Sequence, residues 1–216
     1  MKIWFIVAVA IPAFLVAAIA SAIIAERRRK QELRAVAERL GLSYADKDDA
    51  ALAPLRSATK LFDRGSARRF TSIMHGRIED LSVYIFDYAY TTGTGEETQR
   101  HRQTMAAIFA EQSRAPKFEL RPERVFHKVA SFFGYEDIDV SDHPAFSRMF
   151  HLKGDDAQSV LNAFPTETCD RLMQAGKMCI ESTGQWVIVY RPDKRLKPHE
   201  IDGFLREAFE LTTLFV

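Results

Sequence analysis

LSVYIFDYAY, residues 81–90, alternates with period two. Leu81, Val83, Ile85 and Ala89 fall on one side and Tyr84, Phe86, Tyr88 and Tyr90 on the other. A strand with apolar or amphipathic residues on both sides belongs in the middle of a sheet, covered on both faces. The aromatic side could line a ligand groove, but strand aromatics usually pack, so a covered core face is the simpler expectation. Asp87 interrupts the aliphatic side. Thr91-Thr92-Gly93-Thr94-Gly95-Glu96 then reads as a chain reversal, and residues 103–110 as the returning strand of a hairpin.

Working outward, residues 70–78 alternate weakly around Gly76 and residues 117–121 make a further strand ended by Pro122. Pro122 opens a helix over 123–133. Residues 146–152 read as a strand, Gly154 ends it, and short helices follow from Asp155 and over 168–173. Residues 178–181 and 185–191 form a second hairpin turning at Ser182-Thr183-Gly184. Pro198 begins a last helix whose apolar positions are Ile201, Phe204, Leu205, Ala208, Thr212 and Phe215. Before the central strand, residues 45–49 are a turn and 52–55 a short helix. The order predicts an α+β fold: an antiparallel sheet of about six strands with helices mainly on one face. A parallel dinucleotide-binding sheet is excluded, because regular βα alternation and a glycine fingerprint are missing.

Residues 3–25, IWFIVAVAIPAFLVAAIASAIIA, carry no charge over 23 positions. As a helix they extend about 34 Å, enough for a hydrocarbon core of about 30 Å. Trp4 suits an interface, and Pro12 is better tolerated in a membrane helix than in a soluble one. Glu26 follows, then Arg27, Arg28, Arg29 and Lys30, against Lys2 alone on the other side. That asymmetry keeps the following domain in the cytoplasm. A cleavable signal with a cut at Ala18-Ile19-Ala20 or Ala20-Ser21-Ala22 is the alternative, leading to export, but the apolar run continues past both points. Residues 1–25 are thus expected as a single-pass anchor in the inner membrane, 26–41 as a basic helical stalk with a Leu33, Val36, Ala37 and Leu40 stripe stopped at Gly41, and 42–216 as one α+β domain. Arg27, Arg28, Arg29 and Lys30 are the expected membrane-surface residues, with the bilayer and anionic headgroups as partners.

Charge separates along the chain. Residues 26–77 carry a net of +6 and 78–216 a net of −6. Without a basic stripe interleaved with aromatics, nucleic acid is not an expected partner. The two cysteines, Cys169 and Cys179, are too few for a disulfide framework and are expected as free, buried thiols in a reducing compartment.

No GxxxxGK[ST], GxSxG or HExxH string occurs. Asp46, Asp48 and Asp49 lack the glycine and distal glutamate of a calcium loop and suit helix capping. The metal-like candidates are Glu136, Asp137, Asp139, Asp142 and His143, oxygen ligands with one imidazole. The candidate interaction loop is Thr91, Thr92, Gly93, Thr94 and Gly95, and no cofactor is expected.

The strings LFDRG (61–65), LSVYIFDYAYTTGTG (81–95), QTMAAIF (103–109), KFELRPE (117–123) and HPAFSRMFHLKGDD (143–156), with the closing hairpin and helix, resemble a family of uncharacterised bacterial membrane-anchored proteins. The resemblance covers most of residues 60–216. It implies a prokaryotic membrane protein with a small α+β domain and carries no catalytic residues. The expected function is a membrane-tethered, non-enzymatic interaction or sensing domain on the cytoplasmic face, acting on a protein partner. The alternative is a membrane-associated metal-dependent hydrolase built on residues 136–143.

Overall fold

The structure is a computed structural model. It describes the backbone of residues 2–123 and 136–216, and the side chains of residues 14–95, 97–123 and 137–216. The helix expected over 123–133 lies outside the described residues.

The first helix, α1 (Lys2–Arg39), is a single unbroken element of 38 residues that joins the expected anchor to the expected stalk. Gly41, at φ +70°, ends it in a conformation that costs glycine little. The chain continues as β1 (Ser43–Ala45), α2 (Ala53–Ala58), a 3₁₀ turn (Leu61–Asp63), β2 (Ser66–Ile78), β3 (Leu81–Thr92), β4 (Gln99–Phe109) and β5 (Lys117–Pro122). After β6 (Glu136–Asp137) come α3 (Pro144–Met149), β7 (Phe150–Gly154), α4 (Ala157–Ala163), α5 (Thr166–Ala175), β8 (Cys179–Thr183), β9 (Trp186–Tyr190) and α6 (Ile201–Thr212).

The strands form one sheet in the order β1-β2-β3-β4-β9-β8-β5-β7-β6, antiparallel at each junction. Among the described residues the sheet has nine strands, against the six or so expected. β1 and β6, three and two residues long, are too short to show a period-two pattern and are not among the strands expected. β7 begins at Phe150 rather than Phe146, because Pro144 and the His143 cap, whose Nδ1 accepts from the Phe146 amide, hold 144–149 as a helix.

β3 is central and covered on both sides. On its first face Val83 and Ile85 join a core with Leu33, Val36 and Ala37 of α1 and Ile201, Phe204, Leu205, Ala208 and Leu211 of α6. On its second face Phe86, Tyr88 and Tyr90 pack with Phe70, Met105 and Ile188 under Leu52, Leu55, Leu61 and Phe62. The Phe62 ring meets Phe70 at 5.1 Å and Tyr88 at 5.2 Å, both edge to face. The aromatic side of β3 is therefore core and not an open groove. Burial pushes the Cys169 thiol up to about 11 and the Cys179 thiol up to about 12. Both cysteines are free and buried, Cys169 in the first-face core and Cys179 in the second-face core.

From Phe14 to Ala25 every residue of α1 is exposed, including Phe14, Leu15, Val16, Ile19, Ile23 and Ile24. Among the described residues no helix is long and apolar enough to cross a membrane. The side chains of residues 3–13, the other half of the apolar run, lie outside the described residues.

Candidate functional site

The register of α1 on the sheet fixes which end of the domain lies where the helix departs. The Arg34 guanidinium sits over the Tyr44 ring at 5.3 Å, and Tyr44 pairs with Met74, which pairs with Ile85. One turn earlier, Lys30 Nζ meets Asp46 at 3.0 Å and Arg29 meets Asp87. β3 thus runs toward the N-terminal end of α1. The next row on this face is Arg69, Ala89 and Arg102, and beyond it Thr91 stands opposite Arg100.

Asp87 is the hub. Its carboxylate lies 2.8 Å from Arg29 Nη1 in an ion pair and accepts hydrogen bonds from Arg29 Nη2 at 3.2 Å, from Thr104 Oγ1 at 2.7 Å and from Arg195 Nε at 2.9 Å. Arg195 also grips Glu26 with both terminal nitrogens, at 2.9 and 2.6 Å. This two-pronged bond lowers the Glu26 pKa and holds Arg195 charged. Arg29 Nη2 donates to the Leu196 carbonyl at 2.9 Å, and the Leu196 amide donates to Thr104 Oγ1 at 2.9 Å. The 195–196 strap, the helix and β3–β4 are thereby joined by one polar network in which each charge has an opposite neighbour.

Beside the hub is a cleft of about 290 Å³ bordered by Glu26, Arg69, Thr71, Ala89, Arg100, Arg102 and Arg195. Arg69, Arg100 and Arg102 are exposed. Of the four expected membrane-surface residues, Arg27 and Arg28 are exposed, whereas Arg29 and Lys30 are engaged by the domain. Helical periodicity sorts them, because Arg29 lies on the side that also carries Leu33, Val36 and Ala37. The basic run treated as one signal is split between two faces.

The candidate loop is also at this end. Thr91 and Thr92 belong to β3, and Thr92 Oγ1 lies 2.8 Å from His101 Nε2, so only Gly93, Thr94 and Gly95 project. Gly93 has φ +78°, and a Cβ there would lie 2.3 Å from the Glu97 carbonyl oxygen, which makes the tight turn depend on glycine.

The acidic candidates are not gathered. Asp137 pairs with Lys153 at 3.1 Å. Ile138 and Val140 are buried, so the alternating Asp137 and Asp139 face out, and Asp142 is exposed. His143 Nε2 meets Asp170 at 2.9 Å while Nδ1 caps α3. The Glu136 side chain lies outside the described residues. Among the described residues no three His, Cys, Asp or Glu side chains are placed to hold a metal ion.

A second polar cluster, unforeseen in the sequence, lies under the second face. Glu119 of β5 stands opposite Glu181 of β8. Arg64 Nη2 meets Glu119 at 2.9 Å, Arg121 also pairs with Glu119, and the Thr59 hydroxyl donates to Glu181. All five residues are buried. Burial pushes Glu181 up to about 7, against the opposing pull of the Thr59 hydroxyl and Arg64. A cleft of about 450 Å³ bordered by Thr59, Lys60, Lys117 and Glu181 adjoins it. The available signal was alternation within the short β5: Phe118 and Leu120 face the first core, which puts Glu119 and Arg121 on the other side.

No protein-family model matches the chain, and no curated protein matches it in sequence. Among solved structures it is similar to the crystal structure of the mycobacterial trehalose monomycolate transport factor A, TtfA, with a TM-score of 0.59 and 12% identity over 87% of this chain and 94% of that one. At this identity the likeness is one of fold.

Proposed function

We propose that the chain is a membrane-tethered, non-enzymatic interaction or sensing domain, held on the cytoplasmic face of a membrane by α1. The observation that carries this reading is the exposure of α1 from Phe14 to Ala25: twelve consecutive uncharged residues, nearly all apolar, all exposed. Water does not favour such a surface, and a bilayer does. The Glu26, Arg29, Asp87 and Arg195 network supports the same reading, since it clamps the domain to the helix where the apolar residues begin. The exposed Arg27 and Arg28 supply the orienting charge. Two measurements test it. The protein should stay in the membrane pellet after alkaline carbonate extraction, and a C-terminal alkaline phosphatase fusion should be inactive while a fluorescent-protein fusion is bright. Extraction into the soluble fraction, or an active phosphatase, overturns the reading.

A further inference from the structure

We propose that Arg69, Arg100 and Arg102 form a site for the phosphate of an anionic lipid headgroup; this rests on the tether reading above. The three guanidinium groups come from β2 and β4 on either side of β3, whose Ala89 lies between Arg69 and Arg102 in the row. A small side chain there leaves the space that forms the cleft. Thr71, in the adjoining row opposite Asp87, adds a hydroxyl.

Charge at the site is unbalanced. Glu26 and Asp87, the carboxylates bordering the cleft, are bonded by Arg195 and Arg29. The side chains of Arg69, Arg100 and Arg102 have no hydrogen-bond or ion-pair partner among the described residues. Three like charges gathered on one sheet face repel unless an anion lies among them. The arginine fork matches the oxygens of a phosphate, and phosphate is the charge shared by anionic phospholipids.

Position selects the source. Glu26 borders the cleft, and the exposed Ile23 and Ile24 precede it by less than one turn of α1. The arginines therefore stand at the depth where headgroups surround the helix. β3 runs toward that end, so Thr91 to Gly95 at the hairpin tip extends the same surface.

The test uses the full chain in detergent micelles doped with phosphatidylglycerol or phosphatidylcholine, titrated by a lipid-binding assay. Wild type should prefer phosphatidylglycerol by at least about tenfold. The variant with Arg69→Gln, Arg100→Gln and Arg102→Gln should weaken that binding on the order of a hundredfold. Ala89→Leu, which fills the cleft and keeps every charge, should weaken it by about tenfold. Arg27→Gln with Arg28→Gln should change it by less than about threefold. Circular dichroism and thermal midpoints identify any variant that fails to fold, and Ala89→Leu then decides. Equal binding by wild type and the triple variant overturns the site. So does inorganic phosphate that binds as tightly as the lipid and displaces it, which would make the site one for a free anion. Capture of wild type but not the variant by polyglutamate, without phosphatidylglycerol binding, overturns it in favour of an acidic protein. Carbonate extraction of the same proteins separates the two readings: if the tether fails, wild type is extracted, and if only the site fails, all variants stay in the pellet without lipid preference.

Discussion

Asp87 of β3 and Arg29 of α1 are 58 positions apart in the chain, and their side chains meet at 2.8 Å. The acidic residue that breaks the aliphatic side of the central strand is thus the receptor for the helix. The charge is buried, and it is tolerated because Arg29, Arg195 and Thr104 converge on it.

Replacing Asp87 by alanine leaves Arg29 and Arg195 without their shared acceptor. The expected loss is about 3 kcal/mol, measured by denaturant unfolding of the full chain in micelles. Asp87→Ala in an Arg29→Ala background should cost less than in wild type, because the two changes remove one interaction. Additive losses would show the pair to be uncoupled.

Glu181 gives the stability a pH dependence. Its folded pKa of about 7 lies above the ordinary value of 4.5, so the folded state keeps a proton that the unfolded state releases. The contribution is fully present below about pH 4.5 and is lost as pH rises to about 7, roughly 3 kcal/mol in all for this group. Glu181→Gln keeps an acceptor for Thr59 and removes the titration. The variant should have the flatter profile and be the more stable protein above pH 7. An unchanged slope between pH 4.5 and 7 would place the titration elsewhere.

Two glycines of the hairpin loop should respond differently. Gly93 and Gly95 both have positive φ, but a Cβ at Gly93 meets the Glu97 carbonyl while one at Gly95 meets nothing within 4 Å. Gly95→Ala should cost about 1 kcal/mol, and Gly93→Ala clearly more. Equal midpoints in urea would contradict the turn geometry.

Arg28 and Arg29 should separate orientation from stability. Arg27→Gln with Arg28→Gln should weaken the cytoplasmic orientation in reporter fusions and leave the unfolding midpoint in place. Arg29→Gln should lower the midpoint and alter the fusions less.

Cys169 and Cys179 should resist maleimide in the folded protein and react on unfolding, since both are buried and burial raises their pKa values. They lie in the cores on opposite faces of the sheet. Rapid native labelling of either would contradict the burial.

The legible parts of the fold were those with a strong period. The two-sided β3, the hairpins it and β8 begin, and α6 all carry apolar residues at the spacing their geometry demands. The outer ends of β2 and β4 did not read as strand because they carry Arg69, Arg100 and Arg102, held in place by pairing with β3 rather than by burial. Those same arginines border the candidate cleft, so the part of the sheet hardest to read is the part proposed to act. Asp87 was visible as an anomaly, but its partners Arg29, Arg195 and Thr104 come from three distant segments, and no local pattern joins them.

The unbroken course of α1 gives its two halves a fixed rotational phase. Each residue turns the helix by about 100° and advances it about 1.5 Å. Leu33, Val36 and Ala37 lock one side of the lower half into the sheet. Every side of the upper half therefore has a set compass bearing relative to β3. One alanine inserted between Ala25 and Glu26 would swing the apolar half by about 100° without touching the core. A neighbouring helix that recognised one side of the upper half would then meet the domain from the wrong quarter.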